Sequence, residues 1–286
     1  MLGLGIMGGA MSANLVKAGF TVAGYDPLPA MRTKLKKAGG VPQSRVADVA
    51  GRAAILISSL PSAAALMAVA GELAATAARG TVVIETSTLP IADKEAAQRV
   101  LAKAGIELLD CPLSGTGAQA RNKDLSVYAS GKATTIKRVA HVFPGFARSH
   151  FNVGKFGNGS KMKYVANLLV AIHNVSTAEA LVLGQKGGLD PAMVLKVVGD
   201  GGGSSRMFAV RGPMMVAEDY SDVTMKMHLW QKDMEIIGKF ARDLGCPTPL
   251  LSATAPIYNA AMAQGFAALD TAAVHAVLQA SAGIKK

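Results

Sequence analysis

Three clusters of residues in this sequence have types and spacings that can do chemistry. Gly3-Leu4-Gly5-Ile6-Met7-Gly8 is a G-x-G-x-x-G run. Its glycines permit a tight turn, close approach of the backbone to a pyrophosphate and close helix–strand packing, and the helix that follows offers N–H groups to the anion. Asp26 stands 18 residues after Gly8, at the end of a strand-like run at 20–25. A carboxylate there accepts hydrogen bonds from an adenosine ribose, or it caps the turn before Pro27. The ribose reading favours NAD: a 2′-phosphate would be repelled and would need an arginine beside it, whereas Pro27 and Leu28 follow. Ser114-Gly115-Thr116 comes after a strand-like run at 106–110. Either it is an ordinary Ser-Gly turn, or its hydroxyls and bare N–H groups hold a carboxylate at the carboxyl end of a parallel strand. Lys163 and Asn167 are four residues apart, so on a helix they share a face and can address one ligand together.

The elements that must position these residues show in the hydrophobic pattern. Strand-like runs at 20–25, 54–60, 81–86, 106–110, 125–129 and 151–153 alternate with helix-like segments at 30–38, 63–77 and 91–104. That alternation predicts a parallel sheet with helices on both faces, an α/β Rossmann domain. From 160 to 186 the pattern is that of one helix of roughly 40 Å. Further helices are expected at 191–198, 225–244, 250–264 and 271–282. The boundary is placed at 159, giving an NAD-binding domain at 1–159 and an all-α substrate and oligomerisation domain at 160–286, joined by the long helix. A dinucleotide fold has a strand before its glycine loop, but only Met1 and Leu2 precede Gly3. The expectation is that the central strand is nearly absent and that the natural chain starts several residues upstream.

The 286 residues are 50% hydrophobic, enough for one large core or two moderate ones, which excludes a wholly disordered chain. Thirty Lys and Arg against 19 Asp and Glu give a net charge of +11. The basic residues are dispersed, which argues against nucleic acid and for a field that steers anions to a cleft. Cys111 and Cys246 are too few for a disulfide framework and fit a reducing, cytoplasmic compartment. The uncharged stretch at 244–269 is broken by Pro247, Pro249 and Pro256, so no membrane span is expected. The five histidines lack metal spacing, and no metal is implied.

Four motifs, in order along nearly the whole chain, resemble those of the β-hydroxyacid dehydrogenases, the family of 3-hydroxyisobutyrate dehydrogenase and tartronate semialdehyde reductase within the 6-phosphogluconate dehydrogenase superfamily. The first runs from Gly3 through Leu15. The second, Asp110-Cys111-Pro112-Leu113-Ser114-Gly115 through Ala120, is similar to DxPxSGxxxxA. The third, Gly157 through Asn167, resembles GxGxxxKxxxN, and the fourth is Lys232-Asp233-Met234. There are two departures: Thr116 stands where a second glycine is usual, and Lys123 where a glycine is often found.

The resemblance implies that Lys163 is the general acid/base and that Asn167 positions the substrate and that lysine. It places Ser114, Gly115 and Thr116 on the substrate. Gly3, Leu4, Gly5, Ile6, Met7, Gly8, Asp26, Leu60, Pro61, Thr88 and Lys232 fall along the cofactor, NAD with NADP possible. A free lysine titrates near about 10.4, so a useful base needs a shift of roughly 2–3 units downward. A first-turn position in the helix, Lys155 and Lys161 nearby, and desolvation push that way, while an anionic substrate pushes back. The expected reaction moves a hydride between NAD and a small 3-hydroxy acid or its semialdehyde. The alternatives are an NADPH-dependent semialdehyde or glyoxylate reductase of the same family and a nonenzymatic dinucleotide-binding module. The Ala- and Met-rich helical half predicts a homo-oligomer, dimer or tetramer.

Overall fold

The structure, a computed structural model, describes residues 1–284. In chain order the first elements are α1 (Ile6–Lys17), β1 (Ala23–Gly24), α2 (Pro29–Lys37), β2 (Val41–Pro42), α3 (Val46–Ala50), β3 (Ile55–Ser58), α4 (Ala63–Thr76), β4 (Val82–Glu85), α5 (Ile91–Lys103) and β5 (Glu107–Asp110). After them come β6 (Leu113–Ser114), α6 (Gly117–Arg121), β7 (Ser126–Ala129), α7 (Ala133–Val139), β8 (Ser149–Asn152) and α8 (Asn158–Lys186). The rest is helical: α9 (Pro191–Gly199), α10 (Arg206–Val216), α11 (Met227–Asp243), α12 (Pro249–Ala263) and α13 (Val274–Ser281).

β3, β4 and β5 form one parallel ladder, and β1 pairs with β2 in another. Leu2 joins the two ladders, bridging to Tyr25 on one side and Ser58 on the other in parallel register. The Leu2 N–H donates to Ile57 O at 2.8 Å, and the Gly3 N–H to Tyr25 O at 2.9 Å. With Leu2 counted as the first strand, the order is the 3-2-1-4-5-6 of a doubly wound dinucleotide fold. Of the strand expected at 20–25, only Ala23–Gly24 is ladder. β6 and β8 flank β7, antiparallel and parallel, and an Asp110–Ser130 bridge ties β7 to the end of β5.

Alternate residues of the buried strands feed two cores. Ile57, Val82, Ile84 and Leu109 pack with Met11 and Leu15 of α1, while Leu56, Val83 and Leu108 pack with Leu66 and Leu73 of α4 and Leu101 of α5. Strand β4 is buried at every position, as a strand covered on both faces by helices must be.

The chain falls into two compact units, Met1–Lys163 and Tyr164–Lys286, and the division lies within α8. The second unit is all helical. In α11 the buried positions Met227, Trp230, Asp233, Met234, Ile237 and Ala241 recur at helical spacing, so one face is apolar except for an aspartate. By length and composition α8 could cross a membrane, yet 44% of its most apolar window is buried inside the protein. Helix α12 runs through Pro256, close to the bounds expected at 250–264.

Candidate active site

The glycine loop has the shape its residues demand. Gly3 has φ +87°, and a side chain there would place Cβ 2.2 Å from Ser59 O. At Gly8 an added Cβ would lie 2.0 Å from Gly3 O, so the turn closes only without one. Gly5, by contrast, faces open space and is the N-cap of α1. No side chain caps that helix and no acidic residue lies in its first turn. An uncapped, exposed helix N-terminus behind bare glycine backbone suits a pyrophosphate, so the residues present fit a dinucleotide.

Asp26 is buried at the carboxyl end of β1, and its carboxylate already accepts two backbone bonds, from Leu4 N–H at 2.8 Å and Leu28 N–H at 2.9 Å. Both readings of Asp26 therefore meet in one side chain: it caps the turn, and with up to four acceptor sites it keeps capacity for a ribose. An arginine is also near. Arg32, in the first turn of α2, donates to Asp26 O at 2.6 Å and Pro27 O at 3.1 Å. It lies beyond the two residues that follow Asp26 in sequence, because a turn of helix returns its side chain from six positions on.

Leu60 and Pro61 follow β3, and Thr88 follows β4. The two loops are linked, for the Leu60 N–H donates to Ser87 Oγ at 2.8 Å. The Ser114 motif lies next to the glycine loop, since an added Cβ on Gly117 would lie 2.6 Å from Ile6 Cγ2. The Asn14 side-chain amide of α1 also donates to Ala120 O at 2.7 Å. Gly115 has φ +131°, a conformation strained for any side chain. Thr116 departs from expectation: its N–H is not bare but donates to Gln119 Oε1 at 3.0 Å, while its hydroxyl accepts the Gln119 N–H at 3.4 Å. The residue that replaces the usual glycine thus caps α6.

Helix α8 begins at Asn158, two residues earlier than expected, which makes Lys163 its sixth residue. That position lies beyond the first turn, where the helix dipole acts most strongly. One turn on, Asn167 is buried and its amide donates to Asp233 Oδ2 at 3.0 Å. Lys232 Nζ lies 3.5 Å from Asp233 Oδ1. Asp233 had drawn no role from the sequence beyond its place in the motif. The signal was an acid at a position where α11 is otherwise apolar.

Two further acids and a lysine, also missed, lie fully buried beneath the site. Lys94 Nζ is 2.6 Å from Glu85 Oε2 and 2.8 Å from Asp110 Oδ1, and it donates to Ser87 O at 2.6 Å. Burial alone would lower its pKa, but the two carboxylates hold it above the usual lysine value. Asp110 also accepts from the Ser160 N–H and hydroxyl, each at 2.8 Å. Cys111 beside it is fully buried; desolvation raises its thiol pKa and leaves it a packing residue.

Residues 1–154 match the NAD binding domain of 6-phosphogluconate dehydrogenase, and residues 157–278 match the NAD-binding family of NADP-dependent 3-hydroxyisobutyrate dehydrogenase. The L-threonate dehydrogenase of Cupriavidus necator is 31% identical, over 96% of this chain and 93% of the relative. The chloroplastic glyoxylate/succinic semialdehyde reductase 2 of Arabidopsis thaliana is 28% identical, over 98% of this chain and 79% of the relative. Among solved structures, the 3-hydroxyisobutyrate dehydrogenase of Mycobacterium tuberculosis with L-serine is 28% identical, covers 97% of each chain and superposes with a TM-score of 0.88. Likeness of this extent, running through both halves of the sequence, makes the chain an NAD(P)-binding member of the β-hydroxyacid dehydrogenase family.

Proposed function

We propose that this oxidoreductase moves a hydride between NAD and the β-carbon of a small 3-hydroxy acid, or its semialdehyde, with Lys163 as acid/base. The observation that carries the reading is the placement of Lys163. It stands one helical turn from the buried Asn167, on a helix whose first turn is bonded to Asp110 of the Ser114 motif. Bound NAD supplies the hydride acceptor at its nicotinamide C4. Lys163 Nζ takes the hydroxyl proton as the carbinol carbon is oxidised, and returns it in reduction. Asn167, its amide oriented by Asp233, holds the substrate oxygen and the lysine in register. Ser114 Oγ and the Gly115 N–H hold the substrate carboxylate, and Thr116 contributes once Gln119 yields its N–H. Gly3, Gly5 and Gly8 cradle the pyrophosphate together with the N–H groups around Leu4, Ile6 and Met7. Leu60, Pro61 and Thr88 line its path, and Lys232 is assigned to the cofactor by its motif. Unpaired Cys111 and Cys246 fit a reducing compartment, and we place the enzyme in the cytoplasm.

Replacing Lys163 by Ala is expected to lower kcat by about 10²–10⁴-fold with the NAD dissociation constant unchanged. The assay uses L-threonate, 3-hydroxyisobutyrate and L-serine in oxidation, and glyoxylate and succinic semialdehyde in reduction. A variant that keeps most of its turnover overturns the assignment.

Arg32 favours a second reading, an NADPH-dependent reductase. A guanidinium held at the carboxyl end of β1 is where a 2′-phosphate is accommodated. The Asp26 carboxylate opposes it, and we take the carboxylate to dominate. Comparison of kcat/KM for NADH and NADPH decides: NADH should be preferred, Asp26→Ala should erase the preference, and Arg32→Ala should weaken only NADPH. Tighter use of NADPH by the unaltered protein establishes the second reading.

A further inference from the structure

Buried ion clusters are weak sources of stability, because well-packed apolar replacements are often neutral or better. What such a cluster does supply is direction, and the one around Lys94 joins the segments that carry the candidate site. On one side, Ser87 accepts from Lys94 through its carbonyl, donates its N–H to Glu85 Oε1 at 2.9 Å, and accepts the Leu60 N–H on its hydroxyl. Ser87 immediately precedes Thr88, so the loops after β3 and β4 are both tied down. On the other side, Asp110 takes Lys94, the Ser130 hydroxyl and two bonds from Ser160. The Gly159 N–H donates to Ser130 Oγ at 2.9 Å, and a Cβ on Gly159 would lie 2.5 Å from Tyr128 O. The start of α8 is therefore pressed against the strand ends with no room to slide, and the surplus negative charge of the cluster faces a helix N-terminus that favours it.

We propose that Lys94 is a positioning residue for the reaction, fixing the cofactor-side loops at Leu60 and Ser87–Thr88 relative to the first turn of α8, and through that turn the Lys163 ammonium. The proposal rests on the reading of Lys163 as acid/base. Gly159 and Lys163 are four residues apart and so lie on one face of the helix. A helix rotation of about 10° moves a side-chain tip at a radius of about 6 Å by about 1 Å. Misplacement on that scale costs up to about 10²-fold in rate.

Four proteins test this: the unaltered chain, Lys163→Ala, Ser160→Ala, and the double variant Lys94→Met/Glu85→Leu. The double variant removes one cation and one anion together, keeping the local charge and the Asp110–Ser160 bonds while cutting the link to Ser87. Ser160→Ala cuts only a side-chain link at the helix and keeps the fold readable should the double variant fail to fold. Each is assayed for kcat, KM for NAD, the pH profile of kcat and Tm, on whichever substrate of the panel the unaltered protein turns over fastest. The expected result is a fall in kcat of about 10- to 100-fold in both cluster variants, with the pH profile displaced. In Ser160→Ala the KM for NAD should stay within about twofold of the unaltered value. A kcat and pH profile matching the unaltered protein, with only Tm lowered, reduces the cluster to a structural role and overturns the proposal. Full turnover in Lys163→Ala removes the reading beneath it, an outcome separate from the other two variants.

Discussion

Lys123 holds a left-handed backbone, φ +58°, at the position where the family motif often carries glycine. A lysine there bears a steric cost that glycine does not, of about 1–2 kcal/mol. Lys123→Gly is therefore expected to raise stability by about 1 kcal/mol, or Tm by about 2–4 °C, with NAD binding unaltered; calorimetry checks it. The departure was legible in the sequence, but its meaning was not until the dihedral angle was known. The same divide runs through the site. The glycine loop, Ser114-Gly115-Thr116 and the Lys163/Asn167 pair are written in local spacing and can be read without a structure. Asp233 reaches Asn167 across 66 positions and Ser160 reaches Asp110 across 50, so no local pattern reveals either contact. Arg32 was hidden differently, by a turn of helix that brings it back to the carbonyls of Asp26 and Pro27.

Among the elements, those with long periodic patterns were legible and the short ones were not. Helices α4, α5 and α8 stand close to their expected bounds, whereas α3 and α6 have only five residues each, less than two turns of periodicity. Thr116 and Gln119 form a capping box at the start of α6. Helix α13 carries a titration of its own. His275 is buried, its Nδ1 3.0 Å from the Tyr220 hydroxyl, and among the described residues its Nε2 has no hydrogen-bond partner. Burial lowers its pKa from 6.5 to about 4, with Glu218 pulling weakly the other way. The folded protein keeps the imidazole neutral while the unfolded chain protonates it below 6.5, so this contribution is complete above that pH and is lost as pH falls toward 4. Tm measured from pH 7 to pH 4 should fall more steeply for the unaltered protein than for His275→Gln. Parallel curves would show that the imidazole takes up a proton without resistance.

For the whole molecule, the charge of +11 finds its simplest partners in an anionic dinucleotide and an anionic substrate. The helical unit leaves large apolar side chains exposed, including Leu169 and Leu183 on α8 and Met193 and Val197 on α9. Met193 and Val197, four residues apart, share one face of α9, and we propose a homo-oligomer, dimer or tetramer. Light scattering at micromolar concentration should return a multiple of 29.3 kDa, and Leu183→Glu should shift it toward one chain. A monomeric mass for the unaltered protein removes the proposal.

The two-residue register of β1 and β2 has a consequence for how the first unit breathes. The β1–β2 edge is held by two residue pairs, while β3, β4 and β5 share four-residue registers. Opening that short ladder exposes few amides, so it should open as its own cooperative unit without unfolding the remainder. In native-state hydrogen exchange the amides of Val41 and Gln43, bonded to Val22 O and Gly24 O, should then lose their protons together, well ahead of Val83 and Ile84. The ladder leads into Asp26, which holds the Leu4 N–H, so a bound dinucleotide should slow the early group and leave the late one unchanged.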